Sequence, residues 1–187
     1  MKIGFAMCGS FCTFSKVFEA METVATIHQV TPIFSHNVCA IDSRFGTAAE
    51  HWDRACGICG TQPLHTIEQV EPIGPKKLLD ALVIAPCTGN TLAKLAHSIA
   101  DTPVTMAAKS HLRNGRPVII AISTNDALAG AAENIGKLMG RKHYYFVPFR
   151  QDDPLKKPTS IVADFTKIGP TLNAALSGVQ IQPILIP

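Results

Sequence analysis

The stretch Leu79-Asp80-Ala81-Leu82-Val83-Ile84-Ala85-Pro86-Cys87-Thr88-Gly89-Asn90-Thr91 decides the fold. Residues 79–85 are apolar at all but one position, the pattern of a strand buried on both faces. The run stops at a turn of Pro, Gly and small polar residues, 86–91. Leu92, Leu95, Ala96 and Ile99 then recur at helical spacing. A buried strand, a polar turn and an amphipathic helix in that order make half of a parallel βαβ unit.

The same order repeats on either side. Residues 2–8 read as a strand running into Gly9-Ser10. Val17, Phe18, Met21 and Val24 predict a helix over 13–26. Residues 28–34 read as a second strand, with Pro32 placing it at an edge or an end. A polar stretch, 35–46, leads to a helix around 47–56 that carries the only tryptophan, Trp52. Residues 60–78 are irregular, with a short strand near Leu64–Ile67. Beyond the central unit the pattern predicts a helix over 103–112 and a strand over 117–122 ending in Ser123-Thr124-Asn125-Asp126. A helix over 127–140 and a strand Tyr144–Phe149 follow. The polar segment 150–160, with Pro154 and Pro158, reads as a mobile loop. A last helix near 161–177 precedes an apolar tail, 179–186. The alternation predicts an α/β fold: a parallel sheet with helices on both faces. A length of 187 residues without repeat or linker predicts one domain, 1–187.

Composition closes off several function classes. Hydrophobic residues make up 47%, enough for a full core and far from a disordered chain. The net charge is only +3, and the basic residues come in pairs such as Lys76-Lys77, Arg141-Lys142 and Lys156-Lys157. Without a basic block, nothing points to nucleic acid. No apolar run approaches the roughly 18 residues of a membrane span. The apolar start breaks at Gly9-Ser10 without a cleavage site, so it reads as a strand, not a signal peptide. Six cysteines are too sparse for a disulfide framework and read as reduced thiols of a cytoplasmic protein. Cys56-Gly57-Ile58-Cys59 closes a predicted helix and has no second cysteine pair, which fits neither a thioredoxin-type motif nor a four-ligand zinc site.

In an open α/β sheet, ligands gather at the carboxyl ends of the strands. The turns there are 9–13, 35–46, 86–91 and 123–126. The first puts backbone N–H groups at a helix start, which suits a phosphate. It lacks both GxxxxGK[ST] and GxGxxG, and alone it reads as ordinary helix capping. Thr88, Asn90 and Thr91 offer hydroxyls and an amide beside Gly89, suited to a polar heterocycle and a phosphate; capping the next helix uses one of them. Ser123, Thr124, Asn125 and Asp126 repeat the theme. Three polar strand-end turns in one sheet point to a shared site more strongly than any one does. Arg44, in the loop 42–46, is either a bidentate clamp for a carboxylate or a solvated loop cation. Lys109, Arg113 and Arg116 flank a helix and read as solvated. His36 and His51 stand on or near a strand-end turn.

Ala85 to Ala96, continued by Ile99-Ala100-Asp101, resembles the flavoprotein family of homo-oligomeric, flavin-containing decarboxylase-like proteins. In that family a strand leads through a Pro-Ala-Thr-Ala-Asn-Thr-like turn into a helix. Arg44-Phe45-Gly46, Met106 to Lys109, Arg113-Asn114-Gly115, Ser123 to Leu128, Tyr145 to Phe149 with Gln151-Asp152, Lys156-Lys157-Pro158 and Ser160 are similar to one subfamily, over almost the whole chain.

The resemblance implies a Rossmann-like, flavodoxin-type three-layer fold with a parallel sheet, and a homo-oligomer built on trimers. It implies an FMN site at the strand ends. Gly9, Ser10 and Phe11 would form the first phosphate turn, and Ser35 would meet the phosphate after the second strand. Thr88, Asn90 and Thr91 would line the flavin and phosphate side, and Ser123, Thr124 and Asn125 the next turn. The subfamily further implies a partner, a nicotinamide-binding A subunit through which NADP enters. Its substrate is a small dicarboxylate, a dihydrodipicolinate-type ring aromatised by loss of two electrons in sporulating bacteria. On that expectation Arg44 and Lys109 hold the dicarboxylate.

Two departures separate the chain from the decarboxylase members. The position of their catalytic histidine falls at Pro72, and their Pro-x-Met-Asn turn reads Ser123-Thr124-Asn125. The alternatives to the two-subunit oxidation are a stand-alone FMN-dependent decarboxylase and a non-catalytic scaffold partner with a flavin-binding turn.

Overall fold

The apolar run at the middle of the sequence is the middle of the sheet. In the computed structural model, which describes residues 1–187, β3 (Ala81–Cys87) is buried at every position. It pairs in parallel with β1 (Lys2–Met7) on one side and β4 (Val118–Thr124) on the other. β2 (Gln29–Phe34) pairs in parallel with β1 and is an edge strand. Pro32 is tolerated there because its missing N–H faces away from β1. β5 (Tyr144–Phe146) adds in parallel to the first half of β4.

The far edge departs from the expectation. β6 (Phe149–Asp153) and β7 (Lys157–Ala163) form an antiparallel hairpin, and β7 pairs antiparallel with Ser123 and Thr124 at the end of β4. The order is β2-β1-β3-β4-β7-β6, with β5 also on β4. The polar segment 150–160 is therefore a hairpin, not a mobile loop, and the strand expected over Tyr144–Phe149 divides into the short β5, Tyr144–Phe146, and the first residue of β6, Phe149. The turn is fixed locally: Asp153 Oδ1 accepts the N–H of Leu155 at 3.2 Å and of Lys156 at 3.1 Å, with Pro154 between.

The helices are α1 (Phe14–Ala25), α2 (His36–Ala40), α3 (Ala48–Cys59), α4 (Ile67–Val70), α5 (Gly89–Ala96), α6 (Pro103–Leu112), α7 (Ala132–Met139) and α8 (Ile168–Leu176). α1 and α8 touch each other and β3, while α6 touches α4, α5 and the strands β2, β3 and β4. Right-handed crossovers put these two groups on opposite faces of the sheet. α1 and α6 fall where periodicity places them. α3 runs on through Cys59, so the Cys-x-x-Cys forms its last turn, closed by Gly60 at φ 66°. The strand expected near Leu64–Ile67 is one bridge, Leu64 to Ile33; Ile67 already belongs to α4, which Thr66 starts with a capping box. Ile99 lies beyond α5 and is exposed. α7 starts only at Ala132, because 125–131 is a run of turns. α8 starts only at Ile168, because Ile161 to Ala163 finish β7.

Both layers feed one hydrophobic cluster of 48 buried residues, with Phe5, Phe14, Phe18, Phe34 and Phe146 its largest fully buried rings. All six cysteines are free. No helix is long and apolar enough to cross a membrane.

Candidate functional site

The parallel register brings the carboxyl ends of β1 to β4 together, and side chains stitch the turns beyond them. Cys8 N–H donates to Pro86 O at 3.3 Å, tying the first turn to the third. Thr91 Oγ1 donates to Cys8 Sγ at 3.3 Å. Thr88 caps α5 by accepting the Thr91 N–H at 3.4 Å, an interaction of about 1 kcal/mol. The hydroxyls of Ser10 and Ser123 are 2.7 Å apart and join the first turn to the fourth. The second turn hangs on the first through Ser35 N–H to Met7 O at 3.0 Å.

Gly9 packs at ordinary contact distance, whereas Gly89 makes a close approach possible. A Cβ on Gly9 would stand 3.4 Å from Asn37 Cβ in α2. A Cβ on Gly89 would stand 2.7 Å from Asp126 Oδ1 and 2.9 Å from Thr124 Oγ1. Thr124 Oγ1 donates to that same Asp126 oxygen at 2.5 Å. The hairpin is fastened onto the fourth turn: Thr159 Oγ1 donates to Asn125 O at 2.6 Å and Ser160 Oγ to Asn125 Oδ1 at 3.3 Å. Within this arrangement Ser35 Oγ is buried and has no hydrogen-bond partner. A buried hydroxyl without a partner costs free energy, which a ligand oxygen or nitrogen would recover.

Of the residues singled out in the sequence, Gly9, Ser10, Ser35, Thr88, Thr91, Ser123 and Thr124 belong to this knot of turns. Asn90 and Asn125 are its exposed rim. Phe11 leans toward α1, its ring 5.0 Å from Phe14. Cys8 and Cys87 are not nucleophiles here: burial pushes the Cys8 thiol up to about 11 and Cys87 well above its ordinary value, so both stay protonated at neutral pH.

The expected pair of cationic side chains is not brought together. Arg44 is exposed beyond α2, its guanidinium 4.8 Å above the Phe45 ring. Lys109 shares a cavity with Lys142, His143 and Tyr144. Tyr144 opens β5 opposite Val118 at the start of β4, so Lys109 stands toward the amino ends of the strands, away from the turns. The reason is geometric. α6 runs antiparallel to the strands, and its last turns end where β4 begins.

His51 is 5% exposed among Phe11, Phe14 and Phe18. Desolvation holds its pKa below the usual imidazole value. Pro72 sits in the 3₁₀ turn Glu71–Ile73, which is tied to α6 by Ser110 Oγ donating to Glu71 O at 3.0 Å, and not among the strand-end turns. No sequence pattern marks His65. It follows Leu64, whose carbonyl accepts from Phe34 N–H at 2.8 Å at the end of β2, and its ring lies 5.2 Å from Trp52. Asn37 also escapes the sequence; Gly9, packed against it, was the available signal.

The Ser10–Ser123 contact gives a direct check on the knot. Ser10→Ala and Ser123→Ala are each expected to lower the unfolding free energy by about 1 kcal/mol, and the double variant by less than the sum. Urea denaturation of the three variants measures this; strictly additive losses would mean the hydroxyls do not interact.

Residues 1–163 match the model of the family described as Flavoprotein. The chain belongs to the flavoprotein family. Within it, the chain is 44% identical over 186 residues to the B subunit of dipicolinate synthase from Bacillus subtilis (strain 168), covering 99% of this chain and 93% of that one. The crystal structure of the dipicolinate synthase B subunit from Bacillus halodurans C superposes with a TM-score of 0.91 at 43% identity, covering 100% of this chain and 96% of that chain. The FMN-dependent cysteine decarboxylase SpaF shares the fold at 21% identity, with a TM-score of 0.69 over 94% of this chain and 97% of its own.

Proposed function

We propose that the chain is the B subunit of a dipicolinate synthase. Together with a nicotinamide-binding A subunit it oxidises a dihydrodipicolinate-type ring to dipicolinate in sporulating cells, and it holds FMN at the strand-end turns. The observation that carries the reading is a knot of four polar strand-end turns that holds a buried, unpartnered Ser35 hydroxyl, in a chain 44% identical along almost its whole length to a dipicolinate synthase B subunit.

The residues fit the group. The phosphate belongs beside Gly9, Ser10 and Phe11 ahead of α1, where the Ser10 N–H is already spent on Cys8 O at 2.9 Å and the N–H groups of Gly9 and Phe11 are left to meet it, with Ser35 Oγ as a further donor. The polar edge of the ring system belongs beside Thr88, Asn90 and Thr91, with Ser123, Thr124 and Asn125 across from them. Gly9 keeps the first turn free of a side chain, while the space beside Gly89 is taken by Asp126 and Thr124. FMN, when bound, supplies a carrier able to take two electrons.

The ring loses two electrons and two protons. NADP, entering through the A subunit, would supply the acceptor for the two electrons and one proton as hydride, and the other proton would pass to solvent. The protein's share is to hold a dianion and a planar product in fixed orientation. Arg44 is the cation this reading keeps for a substrate carboxylate. A homo-oligomer and a cytoplasmic location, where six free thiols stay reduced, complete the reading.

The test is the visible spectrum of the purified chain, alone and after addition of FMN, followed by assay with the A subunit. The expected result is retained or acquired FMN, with affinity about tenfold lower in Ser35→Ala, and dipicolinate formation that needs both subunits. A colourless chain that takes up no FMN and adds nothing to the activity of its partner would overturn the proposal in favour of a scaffold role. Turnover of a cysteinyl substrate by the chain alone would overturn it in favour of a decarboxylase.

A further inference from the structure

The cavity that contains Lys109 has a volume of about 400 Å³, within the size range of small-molecule sites. It opens between the end of α5, the outer face of α6 and the start of β5. Its charge is of one sign. Lys109, Arg141, Lys142 and His143 line it, and no Asp or Glu does. The ion pairs of the fold are Arg54–Glu22, Lys94–Asp101, Arg116–Asp80 and Lys157–Asp152, so no carboxylate neutralises Lys109 or Lys142.

Arg141 is held in place: its guanidinium donates to Leu95 O at 3.1 Å and Ala96 O at 2.7 Å, the carbonyls that end α5. That leaves the two lysines as free cations above an apolar wall that includes Leu95, Leu112 and the Tyr144 ring. A cleft with one sign of charge and low-dielectric walls concentrates counter-ions of the opposite sign.

We propose that this cavity is a second ligand site, separate from the strand-end turns, for a small organic dianion carried on an apolar body. Lys109 and Lys142 take the anionic oxygens, and the apolar wall takes the body of the ligand. The site uses none of the turn residues and does not depend on a bound flavin.

The test is calorimetric titration of the full chain with three probes: pyridine-2,6-dicarboxylate, phenyl phosphate and benzoate. The expected result is that at least one dianion binds with a Kd below about 1 mM and more tightly than benzoate. Lys109→Ala and Lys142→Ala should each weaken that binding about tenfold, the loss of one charge-assisted contact. Lys142→Arg should keep most of it, and Ser35→Ala should leave it unchanged. Preference for pyridine dicarboxylate supports the site with a carboxylate ligand; preference for phenyl phosphate supports it with a phosphate ester. The proposal is overturned if neither dianion binds, if binding ignores both lysines, or if Ser35→Ala removes it. It is also overturned if Lys142→Ala changes the molecular mass in solution without changing binding, because the cavity is then a contact between copies. Because Lys109 and Lys142 take no part in the FMN test and Ser35→Ala has opposite expectations in the two tests, either reading can fail alone.

Discussion

Gly74→Ala is expected to lower the unfolding free energy by about 3 kcal/mol or more. Gly74 closes the 3₁₀ turn Glu71–Ile73 against the last turn of α6. An added Cβ would collide with the carbonyl oxygen of Ser110, lie 3.0 Å from its carbon and 2.8 Å from Arg113 Cδ. The arginine can swing away, but a backbone carbonyl cannot move unless the helix moves. Moving the helix breaks Asn114 Nδ2 to Gly74 O at 2.9 Å and Ser110 Oγ to Glu71 O at 3.0 Å. Gly57→Ala and Gly136→Ala are the controls. Both glycines lie in helices with nothing within 4 Å of an added Cβ, so each should stabilise by about 0.5–1 kcal/mol. Chemical denaturation of the three variants measures the contrast. A Gly74→Ala midpoint equal to that of the unchanged protein would show that the brace yields freely.

β3 and α5 could be read in kind, because a strand buried on both faces and an amphipathic helix have distinct periods, but not to their ends: the strand read over 79–85 is Ala81–Cys87, taking in Pro86 and Cys87 from the expected turn, and the stripe through Ile99 outruns a helix that stops at Ala96. The strand-end turns could be read because small polar residues gather where such strands stop. The β6–β7 hairpin could not. Arg150, Gln151 and Asp152 are exposed, so an edge hairpin leaves the same polar trace as a loop. Ile161-Val162-Ala163 is too short an apolar run to separate strand from helix. Lys109 was legible as a cation on a helix but not as to its place. Periodicity gives the face of a helix, whereas which end of the sheet it reaches depends on how far α6 runs back along the strands. His65 escaped because 60–78 has no period at all; its position comes from one bridge, Leu64 to Ile33.

The inner face of α6 also carries the pH sensitivity of the fold. His111 is fully buried, with Nε2 3.1 Å from Pro117 O, so the neutral ring donates there. Nδ1 is buried with no partner. Protonation would place a second N–H and a charge where nothing accepts them. Burial accordingly pushes the His111 pKa down to about 4, against the pull of the Pro117 carbonyl. In the unfolded chain this imidazole takes a proton near its ordinary value of about 6.5. Between those two values the unfolded state binds more protons than the folded state, so stability rises with pH across the window. The contribution is fully present above about pH 6.5 and is lost as pH falls toward 4, a total of about 3 kcal/mol. His51, also held low by desolvation, acts in the same direction. His111→Gln keeps a donor for Pro117 O but cannot titrate. It should therefore lose much of the acid-side slope in unfolding free energy, leaving the shares of His51 and of the carboxyls Glu50, Glu68 and Asp101, which hydrogen bonds hold below their ordinary values. Urea denaturation across that pH window, on both proteins, measures it. Equal slopes would mean that His111 takes its proton in the folded state as readily as in the unfolded chain, and that the inner face of α6 is wetter than its packing implies.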